Sequence, residues 1–145
     1  MVYIPDDAKW YIAEIVMECT VEGEPRNVVH INILLVRADS PEEAFERAEA
    51  LGKSDEDSYS NPQNQKVTWS YCGLRDLNVV HDELEHGAEL LFEEEIGVSA
   101  DNLQEMITEK SELNVFRAPT ARDSSEPDYG NKEIQEEAQK LINGS

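Results

Sequence analysis

The sequence is poor in cysteine and lacks long apolar runs. Its 145 residues include two cysteines, which are too few for a disulfide framework, so both thiols are expected to be reduced. The longest run of aliphatic side chains, Ile33–Val36, is far too short to span a bilayer. The first residues have neither the basic segment nor the apolar stretch of a signal peptide. These absences predict a cytoplasmic protein.

Basic residues are also scarce. The chain has 12 lysines and arginines against 32 aspartates and glutamates, which gives a formal net charge of −20. Such a field repels phosphate backbones and anionic lipid surfaces, which argues against binding to nucleic acid or to membranes. The same field attracts cationic partners. The charge therefore favours solubility and, for any protein partner, a basic one.

Two segments near the N-terminus have the pattern of β-strands. Residues 10–22 alternate between apolar and polar side chains, which is typical of a half-buried strand. Residues 23–27 contain Gly and Pro and predict a turn, and residues 28–38 form a second strand that should pair with the first. This second strand is apolar on both faces, so we expect both faces to be covered.

A helix is predicted directly after this hairpin. Ser40 is expected to be its N-cap, Pro41 its first helical residue and Glu43 the partner in a capping box. Gly52 is expected to end the helix. One stripe of the helix then carries four apolar residues, which we expect to be buried: Ala44, Phe45, Ala48 and Leu51.

The next segments complete one domain. Residues 53–65 are polar and predict a loop, and residues 66–80 predict a strand with a bulge at Gly73. Residues 88–96 alternate again and predict a fourth strand, and Ser99 caps a short helix. The order predicts an α+β fold, with an antiparallel sheet of about four strands in ββαββα order and helices on one face.

The C-terminal part differs in composition. Residues 1–116 are expected to form the single α+β domain, and residues 117–145 a flexible linker followed by a short amphipathic helix. Residues 117–130 lack periodicity and are rich in Pro, Ser and Asp, so we predict that they are mobile and cleavable. Residues 131–142 regain helical spacing, and their apolar positions are Ile134, Ala138, Leu141 and Ile142.

Six short stretches, taken in order, resemble a bacterial family known as domain of unknown function 4288. The resemblance covers roughly residues 10–108 and brings no assigned chemistry, so it implies no catalytic residue. The stretches that carry it are Trp10–Ala13, Arg37–Ala44, Tyr59–Pro62, Gln65–Trp69, Asp82–Leu84 and Gly87–Leu90.

The densest group of potential metal ligands lies at residues 81–86. His81 and His86 are five residues apart, whereas zinc proteases place their two histidines four apart on one helical face. His81, Glu85 and His86 would be the residues of a metal or acid–base site, and the alternative is a charged surface turn closed by Gly87. We predict no tightly bound metal, no cofactor and no catalytic residue.

Loops are the better candidates for recognition, because loops on a rigid sheet commonly carry it. The residues proposed for partner contacts lie in the hairpin tip, residues 22–27, and in the polar loop after the predicted helix, residues 54–64. They are Glu22, Glu24, Arg26, Asp55, Asp57 and Tyr59.

Three functions are compatible with these features. The first is a non-enzymatic, acidic protein-binding module, for example an inhibitor or immunity-type protein. The second is a small enzyme or metal-dependent module centred on His81–His86, and the third is a self-associating structural subunit. If the Val29–Leu35 row of the second strand lies under the helix, its other row needs cover. Either a second copy in a homodimer or the C-terminal helix is expected to supply it.

Overall fold

The computed structural model describes residues 7–119, 123–134 and 137. These residues fall into two compact units. Unit 1 comprises Met1–Leu91 and Pro127–Ser145, and unit 2 comprises Phe92–Glu126. Within the described part of the chain, no helix has the length and apolar character needed to cross a membrane.

Unit 1 is an α+β structure built on one antiparallel sheet with the spatial order β2-β1-β4-β3. The predicted fold class is therefore confirmed. The helix α1, Pro41–Ser54, follows β2 in the chain. The four strands are β1 Trp10–Val21, β2 Val28–Arg37, β3 Asp57–Ser60 and β4 Lys66–Val79.

Two strand predictions are wrong. Residues 88–96 form no strand. Their alternation is broken by Leu91 and Glu94, so they do not present one continuous apolar face. The missing strand, β3, lies instead in the predicted loop 53–65. It is a short edge strand in which Tyr59 alone is partly buried, and an edge strand of this kind leaves no alternating apolar signal.

The helix begins as predicted and ends later than predicted. The Ser40 side chain accepts a hydrogen bond from the Glu43 N–H (3.1 Å), and Pro41 occupies the first turn. The helix continues through Gly52 to Ser54. Gly52 is buried against β4, and a Cβ atom there would lie 2.3 Å from Cδ1 of Tyr71. Gly52 therefore permits close packing between helix and sheet instead of ending the helix.

Small residues form the buried stripe of α1. Ala44, Ala48 and Gly52 are buried, at intervals of four residues, whereas Phe45 and Leu51 are exposed, contrary to expectation. Without large side chains on this stripe, the helix can lie close to the sheet. It packs on one face of β1, where the buried residues are Tyr11, Ala13, Ile15 and Met17.

Of the two rows of β2, α1 covers the one that contains Leu34 and Val36. Val36 is buried and Leu34 is packed in the core under α1. The Val29–Leu35 row lies on the other face and is exposed. In the described part of the chain β2 pairs with β1 alone, so β2 is an edge strand with one uncovered face.

Unit 2 contains the short helix α2, Ala100–Glu105, and two 3₁₀ turns, Lys110–Glu112 and Asn114–Phe116. Ser99 caps α2 as predicted, since its hydroxyl oxygen accepts a hydrogen bond from the Asn102 N–H (3.2 Å). Met106 and Ile107, which follow α2, are both exposed.

Candidate functional site

The side of the sheet opposite α1 presents a row of four exposed aliphatic side chains, which we call the open face. All four belong to β2, at alternate positions, because successive side chains of a strand point to opposite faces. Their exposed fractions are 50% for Val29, 37% for Ile31, 61% for Ile33 and 43% for Leu35. Contiguous apolar surface of this kind commonly marks an interaction site.

Carboxylates lie on the same side of the sheet as the open face, on β1 and, one strand further away, on β4. Glu18 is the partner of Val29 in the β1–β2 register, and Glu14 is the partner of both Ile33 on β2 and Asp76 on β4. Cross-strand partners point to the same face of a sheet. On β1, Glu14 and Glu18 therefore share this face with the apolar row, alternating with Ile12 and Val16, and Asp76 lies one strand further away on β4.

These carboxylates differ in how far their charge is compensated. Glu14 forms an ion pair with Arg75. Glu18 accepts a hydrogen bond from the neutral amide of Asn27 (2.7 Å), and Asp76 accepts one from the neutral amide of Asn78 (3.0 Å). Neutral donors orient a carboxylate but leave its charge in place, so Glu18 and Asp76 can attract a cation.

An apolar groove continues from the open face around the edge of the sheet. It has a volume of about 500 Å³ and lies between the end of β2 and α1, where Leu35, Ala50 and Leu51 supply apolar lining. Arg47 also lines it, donating a hydrogen bond to the Arg37 carbonyl oxygen (2.7 Å). Leu35 belongs to both surfaces, which makes them continuous.

A second cluster lies on the helix side of the sheet, beyond the end of α1. The rings of His30, Trp69 and Tyr129 contact one another, with centroid distances of 4.9 to 5.7 Å. The Trp69 indole N–H donates to the Tyr59 hydroxyl oxygen (2.9 Å). Burial is the main cause that raises the pKa of Tyr59 above its ordinary value, so this hydroxyl remains a neutral donor at physiological pH.

Asn61 connects this cluster to the C-terminal segment. It is fully buried, and its Oδ1 accepts hydrogen bonds from the N–H groups of Gln63 (3.1 Å) and Gln65 (2.8 Å). Its Nδ2 donates to the carbonyl oxygen of Asp128 (3.0 Å). His30, Asn61 and Tyr129 were not predicted as site residues, although the Asn61–Pro62 pair indicates a tight turn.

The residues proposed for partner contacts lie at the hairpin tip, at the end of α1 and on β3. At the hairpin tip Glu24 pairs with Arg26 (3.0 Å), and the hydrogen bond from the Arg26 side chain is the largest of the effects that lower the pKa of Glu24. The carbonyl oxygen of Glu22 accepts a hydrogen bond from the Gln65 side chain. Asp55 is the C-cap of α1, and Asp57 begins β3.

The His81–His86 segment is an exposed turn. Glu85 and His86 line a shallow depression together with Asp82 and Glu83, and His81 is not part of its lining. In the described residues, no three side chains of His, Cys, Asp or Glu are grouped so that they could hold a metal ion.

Part of the C-terminal prediction lies outside the described residues, namely Ala138, Leu141 and Ile142 of the proposed helix. The mobility of the 117–130 linker stays a prediction. Asp128 and Tyr129, at its end, contact β3, β4 and the turn between them.

No curated protein and no solved structure matches this chain. A family model described as a domain of unknown function, DUF4288, matches residues 10–92. The match includes α1 and all four strands, and it covers more than half of the chain. The chain therefore belongs to the DUF4288 family.

Proposed function

We propose that this protein is a non-enzymatic binding module that receives a basic protein partner on its open face. The observation that carries the proposal is the exposed aliphatic row on β2, with Glu18 beside it on β1 and Asp76 on the same side of the sheet on β4. An exposed apolar row with acidic side chains near it would suit an inhibitor or an immunity-type protein that binds a basic protein. Both cysteines are free, which suits the cytoplasmic location that we propose for it.

Burial of the aliphatic row is the main source of affinity in this proposal. Fully burying one Val, Leu or Ile side chain contributes about 1.5–3 kcal/mol, and the four side chains of the row are already partly covered. A contribution of a few kcal/mol therefore remains for a partner, which is enough to support micromolar binding together with hydrogen bonds and charge pairs.

Charge would select the partner. The net charge of −20 accelerates association with a basic protein and opposes association with an acidic one. Lys or Arg side chains of the partner could pair with Glu18 and Asp76 while its apolar side chains cover Ile31 and Ile33. This arrangement predicts that binding weakens as salt concentration rises.

The test begins with a photo-crosslinking amino acid at position 33 or, as a control, at position 45, in cells that express the protein. Phe45 is also an exposed apolar residue, but it lies on α1. A protein crosslinked from position 33 alone is then purified, and its affinity is measured by calorimetry at low and high salt.

We expect Ile33→Asp to weaken this affinity at least about tenfold, equivalent to about 1.4 kcal/mol, and Phe45→Asp to leave it unchanged. Equal crosslinking from both positions, an acidic partner or binding that is insensitive to salt would each contradict the proposal.

A homodimer formed through β2 is the second candidate, and one observation favours it. From Val28 to Val36 the edge strand has no carboxylate, lysine or arginine, and its register with β1 has no irregularity. Edge strands usually avoid pairing by carrying charge, proline or bulges. Two copies could therefore pair along β2 despite their net charge.

Sedimentation velocity of the full chain separates the two candidates. A dimer at micromolar concentration and physiological salt that Ile33→Asp dissociates, and Phe45→Asp does not, supports self-association. A monomer up to about 100 μM leaves the open face available for a different protein, as the first proposal requires.

A further inference from the structure

The helix covers only part of its side of the sheet. With 14 residues, α1 is about 21 Å long at 1.5 Å per residue. The 14 residues of β4 extend about 46 Å at 3.3 Å per residue. Beyond the helix lies a second buried cluster, Cys19, Val21 and Val67, against which Tyr59 and Trp69 pack. Tyr129 contacts this end of the sheet, at His30 and Trp69.

Four side chains form what we call the tail groove: His30, Tyr59, Asn61 and Trp69. The groove offers two hydrogen-bond donors to two consecutive carbonyl groups. The Tyr59 hydroxyl donates to the carbonyl oxygen of Tyr129, and Asn61 Nδ2 donates to the carbonyl oxygen of Asp128 (3.0 Å). The rings of His30 and Trp69 both contact the Tyr129 ring in an edge-on arrangement.

Contacts within residues 59–69 orient both donors without the help of residues 127–130. The indole N–H of Trp69 occupies an acceptor site of the Tyr59 hydroxyl, so the hydroxyl proton is free to point at a ligand. Asn61 is fixed by the N–H groups of Gln63 and Gln65 and by a hydrogen bond to Gln65 Oε1 (2.8 Å). Donors oriented in advance are typical of a binding site, because less ordering is needed when the ligand arrives.

The bound segment has a compact turn of its own. The Gly130 N–H donates to Asp128 Oδ1 (2.9 Å), which closes a turn around Tyr129. Turns of this type are local and form within a few residues. The Asp-Tyr-Gly sequence can therefore present its ring and two carbonyl groups as a short peptide ligand.

We propose that the tail groove is a peptide-binding site for an Asp-Tyr-Gly turn. Residues 127–130 of the same chain are its internal ligand, and they exchange with the same turn on a second polypeptide. Linkage in one chain gives the internal ligand an effective concentration on the order of millimolar. A free peptide therefore competes poorly until the internal turn is weakened.

The experiment uses the full chain labelled with ¹⁵N and a synthetic peptide spanning residues 123–134. NMR follows the Trp69 indole N–H and the Asn61 side-chain amide, which report on the groove directly. Three full-length proteins are compared: wild type, Tyr129→Ala and Phe45→Ala. Tyr129 is 39% exposed and Phe45 is 44% exposed, so both variants remove a partly exposed aromatic ring.

We expect Tyr129→Ala to shift both groove resonances and to bind the peptide at least tenfold more tightly than wild type or Phe45→Ala does. The added peptide should return both resonances toward their wild-type positions. A peptide with alanine in place of its tyrosine should bind at least tenfold more weakly. If Tyr129→Ala does not fold, Asp128→Ala, which removes the carboxylate that closes the turn, replaces it in the same titration.

A purely structural role of the tail gives a different result. Tyr129→Ala would then lower stability without creating a site for the peptide, which would overturn the proposal. Unchanged groove resonances in Tyr129→Ala would overturn it too, as would equal binding of the tyrosine and alanine peptides. Because the groove and the open face lie on opposite sides of the sheet, Ile33→Asp should not alter this titration, and the two proposals can fail separately.

Discussion

Replacing Gly52 by alanine tests how closely α1 packs on the sheet. In an exposed helix this change would stabilise by about 1 kcal/mol, because alanine has the higher helix propensity. Here the new Cβ would lie 2.3 Å from Cδ1 and 2.4 Å from Cε1 of Tyr71. Contacts of this length require a shift of about 1 Å or more. We therefore take the upper end of the range of about 1–3 kcal/mol for overpacking, and the net loss is about 2 kcal/mol.

The measurement is urea unfolding of four proteins: wild type, Gly52→Ala, Tyr71→Val and the double variant. Valine lacks the ring atoms that the alanine would meet, so in the Tyr71→Val background Gly52→Ala should stabilise by about 1 kcal/mol. The coupling between the two positions is then about 3 kcal/mol. Glu46→Ala, on the exposed side of α1, is the control and should change stability by less than about 0.5 kcal/mol.

Two results would refute this reasoning. One is a Gly52→Ala protein that is more stable than wild type, since the ring of Tyr71 would then move aside at no cost. The other is an equal effect of Gly52→Ala with tyrosine and with valine at position 71, which would mean that the ring does not determine the residue at position 52.

Further predictions concern tyrosine, cysteine and asparagine side chains. Tyr71→Phe should be neutral or stabilise by up to about 1 kcal/mol, because the buried Tyr71 hydroxyl has no hydrogen-bond partner within the described residues. Tyr59→Phe, which removes the hydrogen bonds that the Tyr59 hydroxyl makes with the Trp69 N–H and the Tyr129 carbonyl, should cost about 1–2 kcal/mol in the same urea titrations. A thiol reagent should modify exposed Cys72 quickly and buried Cys19 only during unfolding, which mass spectrometry of the labelled protein would show. Burial raises the pKa values of Cys19, Tyr59 and Tyr71 above their ordinary 9.0 and 10.0. The folded state then keeps protons that the unfolded chain releases, so the melting temperature should fall as pH rises above about 9; an increase would contradict this assignment. Asn61→Ala should cost about 3 kcal/mol or more, because several hydrogen bonds of a buried turn are lost together; a loss below about 1 kcal/mol would show that water replaces them.

Local patterns predicted the parts of the fold that depend on neighbouring residues. The β1–β2 hairpin followed from alternation, and the start of α1 from Ser40 and Pro41. The end of α1 could not be predicted from its own residues. Glycine often ends a helix, but at position 52 it is needed because the Tyr71 ring, in another element, leaves no room for a Cβ atom. Likewise β3 exists because β4 offers it an edge, and its own residues carry little strand signal.

The sites depend even more on distant contacts. The sequence indicated that β2 is apolar on both faces. It did not indicate which row α1 covers, because either row offers apolar side chains against which the helix could pack. The tail groove joins His30 to Tyr129, far later in the chain. Nothing local marks that pairing, and Tyr129 falls in a stretch whose composition predicts a linker.

The spatial order of the sheet has a consequence for synthesis of the chain. β1 is made first, but it lies in the interior of the sheet and pairs with both β2 and β4. The ribosome must therefore make the chain as far as Val79 before β1 has its second neighbour. Until then a β1–β2 hairpin has hydrogen-bonding groups free along β1, and a two-stranded ribbon is only marginally stable in water. During that period β1, which lies between β2 and β4 in the complete sheet, is itself open to pairing with other chains. A chaperone that shields Trp10–Val21 during that period should raise the yield of folded protein more than one that acts after release.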